Sequence, residues 1–499
     1  MKIKTRNTQE EVVICKAAQS ESTSDPAFIH AASAEVDSCV VAPPFLYWPP
    51  ACMHSTNGPD SSSPSIHALS PEFDLAAEAR LEAEFVVTAP YSPSAPGFEV
   101  VLLTGATGFL GVHLLRDLLL HTQAKIVCLV RAPSPAAALA RIESNLALYN
   151  LTLSAEQRDR VEPIPGDLGN ARLGLVDADY EALAARVDTV FHSAAAVNFY
   201  QSYDQLRAVN VGGVREILRF ALQARTKALH YVSSTGVFDS TAFQGLVVCE
   251  ADVPANCHGS VMGYTQTKWV AEQVVLQARA RGLPVAVYRS PFIMGDSKSG
   301  IVDAENLVVK MLIGCVQGGA WPDHPSTVEM VAVNDLSRAI VHLAQYPANR
   351  SRTFHLTSPE RMRWADIGIA ARSYGYPLES VPYEEWKLRL AVFGRRKGNA
   401  LRPLIRFFSK VTSRVGTPVP EIFARVPRPI FDSTLTQAAL AGAERVPAPM
   451  NRTMFATYLD FFVQQGWLPT PAEMQMSREV LPIKRSGSSP PYPECAPHA

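Results

Sequence analysis

The chain has 499 residues, of which 47% are hydrophobic, and a formal net charge of −1. This length is enough for two or three domains with at least one sizeable core. A near-neutral chain has no general electrostatic attraction for nucleic acid or an anionic membrane, so neither is expected as a partner. The eight cysteines have no short paired spacings, which argues against a disulfide framework and a zinc site. The charged N-terminus lacks the apolar run of a secretory signal, so we expect a soluble, cytoplasmic protein without a bound metal.

The first part of the chain is predicted to be disordered. Residues 1–73 are rich in Ser, Pro, Ala and Thr and show no sustained hydrophobic periodicity. Such a segment buries too little apolar surface to offset the entropy lost on ordering. Its aromatic stretch at residues 43–50 is a candidate docking peptide. Residues 74–95 are predicted to form a short helix over 74–84, capped by Asp74, and a Pro-rich linker.

Strands and helices alternate through residues 96–345. Apolar or β-branched runs predict these strands: 100–103, 125–130, 161–164, 187–191, 229–232 and 285–288. Helices are predicted over 112–121 and 136–148. Alternation of this kind predicts right-handed crossovers and an α/β fold with a doubly wound parallel sheet of the Rossmann type.

The rhythm of strands and helices is lost after residue 345. Helical patterns then cover 360–374, 383–393 and 450–466. They predict a smaller, mainly helical domain over 346–480 that binds substrate and docks a carrier. Residues 481–499 are predicted to be a disordered tail.

A glycine-rich loop joins the first strand to the first helix of this alternation. Gly105 permits a tight turn, Gly108 lets the backbone approach a pyrophosphate, and Gly111 lets the helix pack on the strand. The helix N-terminus presents free N–H groups and a positive dipole end to phosphate. The strand–loop–helix context predicts a dinucleotide site made of Gly105, Thr107, Gly108, Phe109, Leu110 and Gly111.

Arg131 is the residue that selects the cofactor in this prediction. It ends the second strand, where an acidic residue would hydrogen-bond the ribose 2′-OH of NAD. An arginine pairs instead with the 2′-phosphate of NADP, so we expect NADPH. Arg141 in the next helix is a candidate second cation, with a solvated surface role equally open.

The third and fourth strands end in further candidate cofactor contacts. An acidic side chain at the end of the third strand suits the adenine amino group. Small residues after the fourth strand let the backbone run beside the cofactor. The predicted contacts are Asp167, Leu168, Ser193, Ala194 and Ala195.

Tyr264 and Lys268 are the predicted proton-transfer pair. Four residues apart on an amphipathic helix, they share one helix face. The ordinary pKa of tyrosine is about 10, so acid–base work at neutral pH needs a neighbouring cation such as Lys268. Lys268 is also placed to hold the nicotinamide ribose, which makes both residues cofactor contacts. Hydroxyl residues Ser233, Ser234 and Thr235 follow the preceding strand at the carboxyl edge of the sheet, where ligands bind in such folds. We therefore predict catalytic roles for a hydroxyl of this run together with Tyr264 and Lys268.

These motifs resemble the extended short-chain dehydrogenases. More narrowly, LTGATGFLG, CLVRA, GYTQTKWVAE and YGYPLESVPYEEWKLRL are similar to the thioester reductase domains that terminate non-ribosomal peptide synthetases and carboxylic acid reductases. The resemblance runs from about residue 74 to 471, and it places the family's Ser/Thr on Ser234, with Thr235 as the alternative. It implies that NADPH reduces an acyl thioester to an aldehyde, or on to the alcohol. The thioester would be carried by phosphopantetheine on an acyl or peptidyl carrier protein, or by coenzyme A.

Two features depart from the family pattern. The loop after the sixth strand runs from Arg289 to Gly295 as RSPFIMG, where the family usually has RPGRxxG. The nicotinamide and substrate contacts of this loop are therefore left open. No GGxS-like carrier site is visible, so the thioester is expected to arrive on another protein or on coenzyme A.

Residues 387–414 form a cation cluster without an acidic residue. Clustered cations suit the docking of an acidic carrier protein. The interleaved Leu, Ile and Phe suit a packed helix with a solvated face equally well. The cluster consists of Lys387, Arg389, Arg395, Arg396, Lys397, Arg402, Arg406, Lys410 and Arg414.

Other classes of protein share parts of the pattern. An NAD-dependent nucleotide-sugar epimerase or dehydratase uses the same Ser–Tyr–Lys set, but Arg131 and the C-terminal segment disfavour it. A non-catalytic NADP-binding regulator would be expected to lose part of the triad, which this chain keeps. Fatty acyl-CoA reductases share the loop and YxxxK, so a coenzyme A thioester stays open as substrate.

Overall fold

The structure is a computed structural model. It describes residues 73–91, 97–199, 201–257, 259–260, 262–358, 360–409, 428–443 and 447–479. Nearly all of the predicted leader, including residues 43–50, and the predicted tail lie outside the described residues. So do Lys410 and Arg414 of the cation cluster.

The strands of the described residues are short and mostly buried. They are β1 (Val100–Thr104), β2 (Lys125–Val130), β3 (Val161–Pro165), β4 (Thr189–His192), β5 (Ala228–Ser234), β6 (Val247–Val248), β7 (Val285–Ser290), β8 (Phe292–Met294), β9 (Ala320–Asp323), β10 (Thr327–Val328), β11 (Met330–Ala332), β12 (Thr353–His355), β13 (Met362–Arg363), β14 (Glu379–Pro382) and β15 (Ile430–Phe431).

Helices cover both faces of the sheet and dominate the C-terminal part. They are α1 (Leu75–Glu78), α2 (Phe109–His121), α3 (Pro135–Leu148), α4 (Ala155–Asp159), α5 (Asp177–Arg186), α6 (Tyr203–Arg207), α7 (Gly213–Leu222), α8 (Gly263–Ala280), α9 (Leu307–Gly318), α10 (Val333–Ala344), α11 (Trp364–Tyr374), α12 (Tyr383–Phe393), α13 (Ile405–Ser409), α14 (Thr434–Ala439), α15 (Arg452–Gln464) and α16 (Pro471–Glu479). Within the described part of the chain, none of them has the length and apolarity that crossing a membrane requires.

A seven-stranded parallel sheet forms the centre of the fold. Its order is β12-β7-β5-β4-β1-β2-β3, and every neighbouring pair is parallel. The predicted Rossmann-type sheet is thus confirmed. Chain order reverses between β1 and β4, and the crevice at such a reversal is where open α/β sheets bind ligands. The loops that follow β1 and β4 therefore meet at the expected binding edge.

The sheet is buried on both faces because side chains alternate along each strand. In β1, Val101 and Leu103 pack in the core that contains α2, α3 and α10. Leu102 points to the opposite core, which contains α5, α7 and α8. The edge strand β3 holds two prolines, which are tolerated there because an edge strand has ladder positions without a partner.

A third core brings together much of the C-terminal part. It contains residues of α9, α11, α12 and α15 around the fully buried Trp321 and Trp386. The cores do not follow the order of the chain. Helix α9 precedes residue 346 but packs in this third core, whereas β12 follows residue 346 and supplies the seventh strand of the main sheet.

Residues 73–91, which we call the N-terminal strap, correct the predicted helix over 74–84. Asp74 does cap a helix, accepting hydrogen bonds from the backbone of Ala76 and Ala77, but the helix ends at Glu78. Beyond it, the backbone is held by side chains of α8 and its C-cap. The Gln277 amide bonds strap atoms at two places, and Arg281 donates to three strap carbonyls. These tertiary hydrogen bonds replace helical ones, so local propensity does not decide the outcome.

Candidate active site

The glycine loop ends in a helix start with free donors. Gly108 occupies the N-cap of α2 and offers no side-chain hydrogen bond. The first intrahelical bond runs from the Val112 amide to the Gly108 carbonyl at 3.1 Å. The amides of Phe109, Leu110 and Gly111 therefore lack helical acceptors, and such a terminus attracts phosphate.

The loop is too tight for side chains at its glycines. Gly105 has a φ of +84°, and a Cβ there would lie 2.8 Å from the Ala194 amide nitrogen. A Cβ on Gly111 would lie 1.9 Å from the Gly105 carbonyl oxygen. Thr107 is half-buried at the tip of the loop. A bare, tightly wound cradle with unsatisfied amides fits the diphosphate of a dinucleotide.

The structure brings Arg131 and Arg141 together at the end of β2. Both side chains are exposed, and the Arg141 guanidinium donates a hydrogen bond to the Arg131 carbonyl. Two neighbouring cations beside the glycine loop favour an anionic group. At the end of β3, the Asp167 carboxylate accepts from the Gly169 amide at 2.9 Å. Leu168 is buried and packs on Gly213 of α7.

Several site residues escaped the sequence analysis. Thr104 Oγ1 contacts His192 Nδ1 at 2.8 Å and accepts from the Ala194 amide at 3.3 Å, which joins the loops after β1 and β4. These loops contain the predicted residues Ser193, Ala194 and Ala195. Asn145 of α3 donates to the Gly108 carbonyl at 3.3 Å. Isolated polar residues in buried strands or on a helix gave no motif that would have marked them.

Asn210 is a further residue without a recognised signal. It lies in a π-helical turn, Ala208–Gly212, a feature often found at functional sites. Its amide accepts from the Ala196 backbone at 2.7 Å and donates to the Ala196 carbonyl at 3.0 Å. It also donates to Thr267 on α8 at 3.0 Å, so it ties the loop after β4 to the helix that carries Tyr264.

Lys268 is buried on α8 and its ammonium turns toward β5. It donates to the Tyr231 hydroxyl at 2.9 Å and to the Val232 carbonyl at 2.8 Å. Burial lowers the pKa of Lys268 to about 8, while the Glu272 carboxylate opposes that shift. Burial raises the pKa of Tyr264 to about 12. This differs from the expectation that Lys268 lowers the pKa of Tyr264, because the hydrogen bonds of the ammonium go to Tyr231 and Val232.

Ser234 ends β5 and caps the 3₁₀ turn Thr235–Phe238. Its hydroxyl oxygen accepts from the Gly236 amide at 3.1 Å. A Cβ on Gly236 would lie 3.1 Å from Thr265 Cγ2, so this turn closely approaches the first turn of α8. Thr235 is half-buried in the same turn. The end of β5 and the start of α8 therefore meet, as the predicted set requires.

Aromatic side chains flank Tyr264. The Phe199 and Tyr264 rings meet edge to face with centroids 5.9 Å apart. Phe292, in the loop that departs from the family pattern, lies 6.4 Å from Phe199 between ring centroids. Both phenylalanines are half-buried, so they form an apolar wall beside the predicted proton donor.

The comparisons agree with this geometry. A family model described as male sterility protein matches residues 103–340. The solved terminal R domain from the myxalamid PKS-NRPS biosynthetic pathway is 34% identical, covers 80% of this chain and 98% of its own, and superposes with a TM-score of 0.72. The chain belongs to the thioester reductase domain family. Members of this family are oxidoreductases built on an NAD(P)-binding fold.

Larger proteins contain similar reductase domains. A linear gramicidin synthase of Brevibacillus parabrevis is 36% identical over 410 residues, which is 81% of this chain. A glycine betaine reductase of Emericella nidulans is 35% identical over 400 residues, or 78% of this chain. The chain spans only 8% and 30% of the lengths of these two relatives.

Acidic residues outside positions 387–414 partly neutralise the cation cluster of the reductase domain. Lys387 pairs with Glu384 at 2.7 Å, and Arg389 pairs with Glu379 at 2.6 Å. Four further members of the cluster are exposed: Arg395, Arg396, Lys397 and Arg402. Residues 387–414 contain no acidic residue, but acidic residues shortly before this segment pair with its first two cations.

Proposed function

We propose that this reductase domain uses NADPH to reduce an acyl thioester, borne by a carrier protein or coenzyme A, to an aldehyde. The observation that carries the proposal is the meeting of three elements at one sheet edge. The glycine loop lies against the backbone of Ala194. The turn that starts at Ser234 approaches the first turn of α8, which carries Tyr264 and Lys268. Ligands of open α/β sheets bind at this edge.

The residues that would hold the cofactor lie around the loop. The free amides of Phe109, Leu110 and Gly111 would bind its diphosphate. Arg131 and Arg141 would bind the 2′-phosphate, which supports NADPH over NADH. Bound NADPH supplies the hydride to the substrate carbonyl carbon.

Tyr264 and Ser234 would act on the thioester oxygen. As hydride reaches the carbonyl carbon, negative charge develops on its oxygen, and hydroxyl donors stabilise that charge. A pKa of about 12 keeps the Tyr264 hydroxyl protonated at neutral pH, so it is able to donate. Breakage of the carbon–sulfur bond then leaves the aldehyde and a thiolate, which takes up a proton. A second hydride and proton would give the alcohol, so an assay has to separate the two products.

Lys268 would supply positive charge to the same site. Its buried ammonium hydrogen-bonds the Tyr231 hydroxyl, next to the strand end that holds Ser234. A cation in a water-poor site stabilises a developing oxyanion more strongly than one in bulk solvent. Lys268 would also hold the nicotinamide ribose.

Helix α12 supports a carrier protein as partner. Leu388 and Val392 lie four residues apart on one helix face and are 74% and 67% exposed. The exposed cations Arg395 and Arg396 follow directly. An acidic carrier surface with an apolar centre would complement this combination.

The test is incubation with NADPH and matched acyl-pantetheine, acyl-CoA and acyl-carrier thioesters, with products identified by mass. We expect aldehyde or alcohol together with oxidised cofactor. Tyr264→Phe removes the proton but keeps the ring, so turnover should fall by about 10²–10⁴-fold with NADPH affinity nearly unchanged. Tyr376→Phe is a matched control, because Tyr376 donates to the Pro469 carbonyl at 2.8 Å in the C-terminal part. Full turnover by Tyr264→Phe would contradict the mechanism.

A further inference from the structure

A completely buried ion pair lies beside the proposed catalytic residues. Glu272 on α8 and Arg289 near the end of β7 are both 0% exposed. Arg289 donates to one Glu272 carboxylate oxygen from Nε at 3.0 Å and from its terminal nitrogen at 2.7 Å. The other carboxylate oxygen accepts from the Ser233 hydroxyl. Both oxygens of the carboxylate are therefore occupied.

The remaining donors of Arg289 hold neighbouring segments in place. They reach the Asp252 carbonyl at 2.8 Å, the Glu250 carbonyl at 3.4 Å and His355 Nε2 on β12 at 3.1 Å. The guanidinium carbon lies 4.7 Å from the centre of the Phe238 ring. One side chain thus connects β7, β12, the loop at 250–252 and the turn that ends at Phe238.

The pair contacts or belongs to both elements that carry the proposed catalytic residues. Ser233 directly precedes Ser234, and Ser233 is also the register partner of Arg289 across β5 and β7. Glu272 lies one helical turn beyond Lys268 on α8. The Glu272–Arg289 pair therefore joins the strand end that carries Ser234 to the helix that carries Tyr264 and Lys268.

Electrostatics link Glu272 to Lys268 as well. The titratable groups that interact with Lys268 are His192 on β4, Tyr231 on β5 and Glu272 on α8, and Tyr264 interacts electrostatically with Tyr231. Burial keeps His192 neutral by lowering its pKa to about 3, with the charge of Lys268 adding to the effect. Burial raises the pKa values of both tyrosines. Glu272 is thus the anion among these groups.

Stability alone is a weak reason for such a pair. Desolvating two charges offsets most of their attraction, and apolar residues of similar volume are often as stabilising. A charge pair is useful where its charge or its directional hydrogen bonds act on neighbouring groups.

We propose that the Glu272–Arg289 pair is a positioning device, which fixes Ser234 against α8 and holds the negative charge of Glu272 one helical turn from Lys268. This inference rests on the proposed function for its kinetic measurement only. The ionisation of Lys268 can be followed without turnover, by NMR of protein labelled at its lysine side chains and assigned with Lys268→Arg.

Removing one charge at a time separates charge from structure. Glu272→Gln leaves two buried cations, so the ionisation midpoint of Lys268 should fall by about one pH unit, a tenfold change in its dissociation constant. Arg289→Met leaves the carboxylate unbalanced, so the midpoint should rise by a similar amount. The alkaline limb of single-turnover NADPH oxidation should move in the same direction in each variant. Arg363→Gln, which breaks an exposed pair with Asp366 (2.7 Å), is the control and should move neither.

The direction of the shifts decides the charge role. The charge role would be overturned if the Lys268 midpoint moved in the same direction in both variants, or moved in neither. A pair with a merely structural role has no reason to move this midpoint in opposite directions. If none of the thioesters supports NADPH oxidation by the wild-type protein, the proposed function fails. The ionisation midpoints of Lys268 measured by NMR would still decide the charge role.

Ser233→Ala tests the positioning role without changing any charge, and it also serves if a charge variant fails to fold. The substitution should lower turnover about tenfold. The ionisation midpoint of Lys268 and the affinity for NADPH should stay unchanged. Wild-type turnover in a folded Ser233→Ala protein would overturn the positioning role.

Discussion

Acid should destabilise this protein through its buried histidines, and His230 is the clearest case. The ring is 1% exposed, stacks on Phe191 with centroids 4.5 Å apart, and hydrogen-bonds the Tyr288 hydroxyl through Nδ1 at 2.8 Å. Its Nε2 has no hydrogen-bond partner among the described residues. Burial, with a smaller effect from Arg350, lowers the pKa of His230 from 6.5 to about 3.

The sign of the effect follows from proton binding. Between about pH 6.5 and pH 3 the unfolded chain binds a proton at His230 that the folded protein does not, so stability is lost as the pH falls. At pH 5.5 this costs on the order of 1 kcal/mol relative to pH 8. Burial also lowers the pKa values of His192 and His355 to about 3 and that of His113 to about 4. Together the four sites remove several kcal/mol at pH 5.5, which is comparable with the total stability of many domains.

The assay is urea unfolding at pH 8, 6.5 and 5.5, followed by circular dichroism. Burial raises the pKa values of Asp117, Asp239 and Glu329, and these carboxyl groups therefore favour the folded protein as the pH falls. Because this opposes the effect of the histidines, the contribution of one histidine has to be isolated by substitution. His230→Phe keeps the stacked ring, and between pH 8 and 5.5 its free energy of unfolding should fall by on the order of 1 kcal/mol less than that of the unmodified protein. It also leaves the Tyr288 hydroxyl without its partner, at a pH-independent cost of about 1–3 kcal/mol.

The same substitution at exposed His121 is the control and should keep the pH dependence of the unmodified protein. Equal pH dependence in His230→Phe and the unmodified protein would refute the assignment of a neutral, proton-excluding His230.

Three further outcomes are expected. Arg131→Ala should narrow the preference for NADPH over NADH by roughly ten- to a hundredfold in binding titrations, and equal affinities in the unmodified protein would refute the NADPH assignment. A chain that begins at Phe73 should keep its stability in urea unfolding. One that begins at Gly97 loses the buried strap side chains of Leu81 and Phe85, which contribute about 1.5–3 kcal/mol each, so its urea midpoint should be lower; equal midpoints would show that the strap contributes nothing. Phe199→Ala removes the ring beside Tyr264 and should raise KM for an apolar acyl-pantetheine about tenfold or more without changing NADPH affinity, and an unchanged KM would place the acyl group elsewhere.

Local patterns in the sequence predicted six of the seven strands of the main sheet and the elements that carry the candidate site residues. Helix α12 has the predicted bounds, and the glycine loop sits between a strand and a helix as expected. The pair Tyr264 and Lys268 does lie on one helix. Each of these features depends on residues within a few positions of one another, where hydrophobic period, turn chemistry and helical spacing act directly.

Partners distant in the chain decided the rest. The predicted strap helix stops at Glu78 because Gln277 and Arg281, about 200 residues away, satisfy its backbone. The ammonium of Lys268 bonds Tyr231, 37 residues earlier, so burial rather than Lys268 sets the pKa of Tyr264. Nothing in a local pattern records which distant side chain will be desolvated beside which other. Desolvation and charge pairing exist only once packing brings these groups together. Sequence motifs therefore indicated candidate site residues, while the tertiary structure decided the ionisation of these residues and their partners.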